Sequence, residues 1–144
     1  MATTLVSGLT QVLLFSLVAT DAFSQSPAGL SGSEISKLVS GRSLAISYYG
    51  DPTPNSATTS VWDFRKDGSV CARYVGAKRG EKCAEVGKWA ITDDMLCWDL
   101  PTIGRGLGTN PACSTASQPK PDRLELRNQK TPDAVFARVL VLNS

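Results

Sequence analysis

The stretch from Ser60 to Leu100 leaves this chain few ways to fold. It reads as two β-hairpins in succession. The first runs Ser60–Arg65, a Lys66-Asp67-Gly68 turn, then Ser69–Val75. The second runs Glu85–Ile91, a turn at Asp93-Asp94, then Met95–Leu100. Both alternate apolar and polar residues, the pattern of strands buried on one face. Register follows from asking which pairing gathers the large apolar side chains, because a one-residue slip sends every side chain to the other face. A three-residue loop sets Phe64 opposite Val70 and Trp62 opposite Ala72, with Tyr74 on the same face. Gly68 stands at the left-handed last position that such a loop requires. In the second hairpin Ile91 faces Leu96 and Trp89 faces Trp98, whether the loop has two residues or four.

This register turns Cys71 and Cys97 away from the core face. Their partners are then expected in outlying loops. Of the three possible pairings, the faces and short loop closure favour Cys71–Cys83 and Cys97–Cys113. In the chain-entropy picture each bond stabilises by about 3 kcal/mol. The four cysteines have no Cys-x-x-Cys spacing and the chain has no histidine, so a zinc site is not indicated. Disulfides fit an oxidising compartment. Leu5–Ala19 is apolar but too short and interrupted for a membrane span, and Ala22-Phe23-Ser24 offers the small residues that a signal peptidase reads. Residues 1–24 are therefore expected to be a cleaved signal peptide. Residues 25–144 then form a single disulfide-stapled β domain, periplasmic or secreted, with no stable membrane anchor.

Within that domain, Leu30–Gly41 is expected to be a short helix. Ser31 and Glu34 have capping-box spacing, Leu30 can staple to Ile35, Ile35, Leu38 and Val39 form the apolar stripe, and Gly41 terminates it. Arg42–Tyr49 is the first strand, with Leu44, Ile46 and Tyr48 on one face and Ser43, Ala45, Ser47 and Tyr49 on the other. Arg123–Asn128 and Ala134–Leu142 are the last two strands. Val135, Ala137, Val139 and Val141 share one face of the final strand, and its other face is also apolar enough to be buried. Pro101–Pro121 reads as one long irregular segment. The fold class is thus mainly β: an antiparallel curved sheet or small, partly closed barrel of seven or so strands, with one N-terminal helix over an open end.

Chemical motifs are sparse. Without Asp21, the only charged side chain of residues 1–24, the domain carries 15 basic and 12 acidic residues. Scattered as they are, they give no footprint for nucleic acid. Gly104-Arg105-Gly106-Leu107-Gly108 lacks the Lys-Ser or Lys-Thr ending of a phosphate loop, and no helix is expected after it. Lys78, Arg79 and Lys82 form a small basic loop, read as solvated. Asp93 and Asp94 sit in a turn, without the burial that separates an acid from a base. Serine nucleophiles have no histidine to activate them. No catalytic, cofactor or metal residues are assigned.

The residues Gly87-Lys88-Trp89-Ala90-Ile91, Asp94-Met95-Leu96-Cys97-Trp98 and Cys113, with Leu30-Ser31-Gly32-Ser33-Glu34-Ile35 and Asp67-Gly68, resemble a family. It comprises small exported proteobacterial proteins of unknown function, lipocalin-like in shape. The resemblance spans roughly residues 30 to 142 and implies the β architecture, but carries no catalytic residues with it. The expected function is a non-enzymatic binding module for a small apolar ligand or a protein partner. The alternative is an inhibitor of a secreted hydrolase. The candidate interaction loop is Gly104, Arg105, Gly106, Leu107 and Gly108, since recognition residues concentrate on loops held by a rigid scaffold.

Overall fold

The computed structural model describes residues 28–103 and 111–143. The expected signal peptide and the candidate loop at residues 104–108 lie outside them. Helix α1 (Gly32–Val39) is followed by eight strands: β1 (Arg42–Ser47), β2 (Thr59–Phe64), β3 (Ser69–Ala72), β4 (Glu85–Thr92), β5 (Met95–Asp99), β6 (Ala112–Lys120), β7 (Arg123–Asn128) and β8 (Thr131–Leu142). Each pairs antiparallel with the next, and β8 returns to pair with β1, from Ser43 opposite Leu142 to Ser47 opposite Arg138. The sheet is therefore a fully closed up-and-down barrel, with no free edge along its circuit.

Both hairpin registers are as the sequence implies. Phe64 pairs with Val70, Trp89 with Trp98 and Ile91 with Leu96. Gly68 has φ +81°, and Asp67 accepts hydrogen bonds from the Ser69 N–H and hydroxyl. Thr92 opposite Met95 makes the second turn a two-residue one, with Asp93 and Asp94 both at positive φ. That is the primed geometry matching the twist of paired strands. Tyr74 departs from expectation: β3 stops at Ala72, the Arg73 carbonyl accepts from the Ser60 hydroxyl, and Tyr74 is 65% exposed.

A strand beyond the seven expected is the main correction. Residues 112–120, read as irregular, form β6, with Leu96 opposite Ser114 and Trp98 opposite Ala112. Its inward residues Ala112, Ser114 and Ala116 are small, so no bulky alternation marks it. Pro119 is accommodated where the β6–β7 register shifts between Ser117 and Lys120. Cys113 is accordingly a strand residue directly opposite Cys97, not a loop residue. In β8 the register shifts again: Leu126 pairs with Ala137, but Arg127 pairs with Val135. This extra residue takes Val135 off the face of Ala137 and brings Phe136 against the core, where it stacks on Tyr48 at 6.3 Å.

The barrel is filled. Trp62 stacks on Phe64 and meets Trp98 edge-on at 5.9 Å, and Leu44, Leu96 and Leu124 are almost completely buried around them. Helix α1 delivers Ile35 and Val39, both fully buried, into the same cluster. Its placement is specific. The Glu34 carboxylate accepts from the Ser31 N–H at 2.8 Å and hydroxyl at 2.6 Å, while the Gly32 N–H donates to Asp94 of the β4–β5 turn at 2.6 Å. Gly41, at φ +73°, ends the helix and donates to the Phe64 carbonyl. The void left among Leu44, Trp62, Trp98 and their neighbours is about 10 Å³, at the lower limit of what one water needs.

Candidate functional site

In an up-and-down barrel the odd strands all end at one rim. Here that rim carries the segments following β1, β3 and β5. Tyr49 is 86% and Tyr48 40% exposed after β1, and Tyr74 and Val75 stand exposed after β3. Among the described residues, large apolar side chains in water are otherwise few. Val86 is the other conspicuous one. Tyrosine suits a contact surface because it offers a large, rigid, amphipathic face at low entropic cost.

The connection after β5 contains the candidate loop. Its first stem is held by Glu85, whose carboxylate accepts from the N–H groups of Thr102 at 2.9 Å and Ile103 at 3.0 Å, and from the Thr102 hydroxyl. Leu100 is buried and Ile103 packs on the core cluster. The second stem enters β6 beside the Cys97–Cys113 disulfide, where the Cα atoms are 4.1 Å apart. Both stems are thus fixed to the barrel; the Cys97–Cys113 tie is the one the sequence implies, whereas the Glu85 contacts to Thr102 and Ile103 have no sequence signal. Gly104, Arg105, Gly106, Leu107 and Gly108 themselves lie outside the described residues.

The segments after β1 and β3 also fold back over the outer wall. Ser43, Ala45 and Ser47, which alternation assigns to the face opposite the core, are buried, as are Val61 and Cys71. One cover is the strap 73–84. It is tied by Cys71–Cys83, with Cα atoms 5.3 Å apart. It is also tied by Arg73, which is 4% exposed and donates to the Val61 carbonyl at 3.1 Å, the Glu81 carbonyl at 2.7 Å and Asp63 at 2.7 Å. Asp63 also accepts from the Ser43 hydroxyl at 2.6 Å. Burial alone would raise the Asp63 carboxyl, but the hydrogen bonds from Arg73 and Ser43, together with the arginine charge, outweigh it and hold it below the usual carboxylate range. The other cover is the β1–β2 loop, where Pro52 is buried, its carbonyl accepts from Arg123, and Asp51 lies 3.7 Å from Arg138.

The remaining candidates divide clearly. Trp62 and Trp98 are core, whereas Trp89 is only half-buried, with its indole N–H donating to the Arg65 carbonyl at 2.8 Å. Asp94 caps the helix. Lys78, Arg79 and Lys82 are exposed on the strap. Among the described residues no group of three or more metal-ligating side chains comes together. The described arrangement offers surfaces for contact, with Glu85, Arg73 and Arg123 engaged in holding loops and Asp94 in holding the helix. Compared with descriptions of protein families, with curated proteins and with solved structures, the chain finds no match in any of the three.

Proposed function

We propose that this chain is an exported, non-enzymatic binding module that engages a protein partner at the rim bearing Tyr48, Tyr49, Tyr74 and the β5–β6 connection. The observation that carries this reading is the filled barrel. Small-molecule sites commonly measure about 300–1,000 Å³, and a void of about 10 Å³ gives an apolar ligand no place inside. Export is supported by the two disulfides and by the apolar Leu5–Ala19 run ahead of Ala22-Phe23-Ser24. The resemblance to small exported, lipocalin-like proteobacterial proteins agrees with this setting. A second reading, inhibition of a secreted hydrolase, is favoured by one feature: the candidate loop springs from two anchored stems, which lowers the entropy lost when a loop docks.

The test is covalent capture in periplasmic or culture extract, followed by binding of the purified partner to three forms of the chain. These are wild type, Tyr49→Ala/Tyr74→Ala, and a deletion of Gly104–Gly108. The expected result is a partner whose binding weakens at least about tenfold in one altered form, the scale of losing interface anchors. A hydrolase as partner, inhibited by wild type but not by the deletion, establishes the second reading. A partner bound equally by all three forms overturns the rim as the site.

A further inference from the structure

A separate surface carries a different chemistry. Between the strap and the start of β1 lies an open groove of about 490 Å³, lined by Arg42, Arg65, Lys66 and Arg79 with Ser43 and Asp63 among them. The four cations come from three segments: the start of β1, the β2–β3 turn and the strap. Among the described residues none of the four has a carboxylate within ion-pair distance. The nearby acids are turned to other tasks. Asp63 is engaged with Arg73 and Ser43, Asp67 with Ser69, and Glu81 with the Lys78 N–H. The chain's net charge is only +2, so general basicity does not account for this local excess. Nor is the groove loosely built. The Cys71–Cys83 bond fixes the strap, and the Arg79 guanidinium donates to the Asn143 carbonyl at 2.8 Å, which orients it.

We propose that this groove binds a phosphorylated ligand. Three guanidinium groups offer planar, fork-shaped donors that suit phosphate oxygens, and charge-assisted bonds of this kind are the strong ones. The volume lies within the range of small-ligand sites, larger than one inorganic ion fills, so the ligand carries more than one phosphate or a phosphate on a larger body. Four cations line the groove against one carboxylate, Asp63, which is shared with Arg73; the excess of like charge is unfavourable for the free protein, and a polyanion relieves that repulsion. The inference stands apart from the rim reading and survives its failure.

The test is an NMR titration of the purified chain with inorganic pyrophosphate. In parallel, co-sedimentation is measured with vesicles of phosphatidylcholine containing phosphatidylglycerol. Saturable shifts are expected at the amides of Gly41–Ser43, Arg65, Lys66, Arg79 and Gly80. Arg42→Gln/Arg65→Gln should weaken binding about tenfold or more while the melting transition is kept, since neither side chain makes a strong bond within the fold. Lys88→Gln/Lys120→Gln, outside the groove, should leave affinity within about twofold, as expected for distant screened charges. Sensitivity to the arginine pair with pyrophosphate identifies a soluble phosphate ligand; the same sensitivity with vesicles alone identifies a lipid headgroup. Either supports the groove. No binding of either probe, or equal loss in both double variants, overturns it.

Discussion

Arg73 and Asp63 illustrate how one residue pair fixes a surface loop. Arg73 is 4% and Asp63 25% exposed, and together they join β2, β3 and the strap. Removing Asp63 leaves a buried guanidinium with no counter-charge. Breaking a fully buried pair costs about 3–5 kcal/mol; with Asp63 a quarter exposed, Asp63→Asn should cost about 2 kcal/mol at pH 7. The same pair predicts an acid limb. Because the folded Asp63 carboxyl is held below its ordinary value, the unfolded chain takes up the proton first as pH falls. The stabilisation is complete above the ordinary aspartate value of about 4 and drains away below it, as pH passes through the lower folded value. Glu34 and Asp67 are lowered too, by hydrogen bonds from Ser31 and Ser69, and act in the same direction. Melting temperature should stay level between about pH 7 and 5 and fall below about 4, less steeply in Asp63→Asn. Identical slopes for the two proteins would remove Asp63 from the account.

At the scale of elements, the β4–β5 turn does two jobs at once. It closes a hairpin and it caps a helix, because Asp94 accepts from the Gly32 N–H across 62 residues of chain. Asp94→Ala loses that bond and places a β-carbon with no compensating acceptor at φ +58°. A loss of about 1–2 kcal/mol is expected, the range for helix caps, with faster amide exchange in the first turn of α1. Asp94→Asn keeps an acceptor and tolerates the backbone, so it should stay near wild type. An Asp94→Ala melt matching wild type would mean that the helix is held by Ile35 and Val39 alone. This turn was legible in the sequence because Trp89, Ile91, Leu96 and Trp98 are bulky and alternate. The disulfide pairing was legible for the same reason, through the faces those residues define. Strand β6 was not, since Ala112, Ser114 and Ala116 present no contrast and Pro119 mimics a loop. The covered outer wall was hidden as well: Ser43, Ala45 and Ser47 have the composition of a solvent face, and only the return of the strap and the β1–β2 loop buries them. The basic groove had no linear signal beyond Lys78-Arg79 and Lys82, because Arg42, Arg65 and Arg79 meet only once the barrel closes.

For the molecule as a whole, the decisive property is that the described side chains fill the closed barrel down to a void of about 10 Å³. Gly87 shows how close the strands come there: a β-carbon on it would lie 1.8 Å from the Asp99 carbonyl oxygen. The two tryptophans that face each other across β4 and β5 are unequal in this packing. Trp98 is 4% exposed and meets Trp62 edge-on, whereas Trp89 is half-buried beside Phe64. Trp98→Ala should therefore cost about 3–5 kcal/mol, as large core truncations do, and Trp89→Ala distinctly less. Trp98→Ala also makes a cavity where wild type has only a void of about 10 Å³. Apolar cavities of that origin stay dry and accept small aromatic molecules. Indole or benzene should then raise the melting temperature of Trp98→Ala by mass action while leaving wild type unmoved. The indole N–H of Trp98 has no hydrogen-bond partner among the described residues, so its removal strands no acceptor and the loss reports packing. If wild type is stabilised by indole or a fatty acid as strongly as the variant, the barrel opens in solution. The binding role would then move from the rim to the interior.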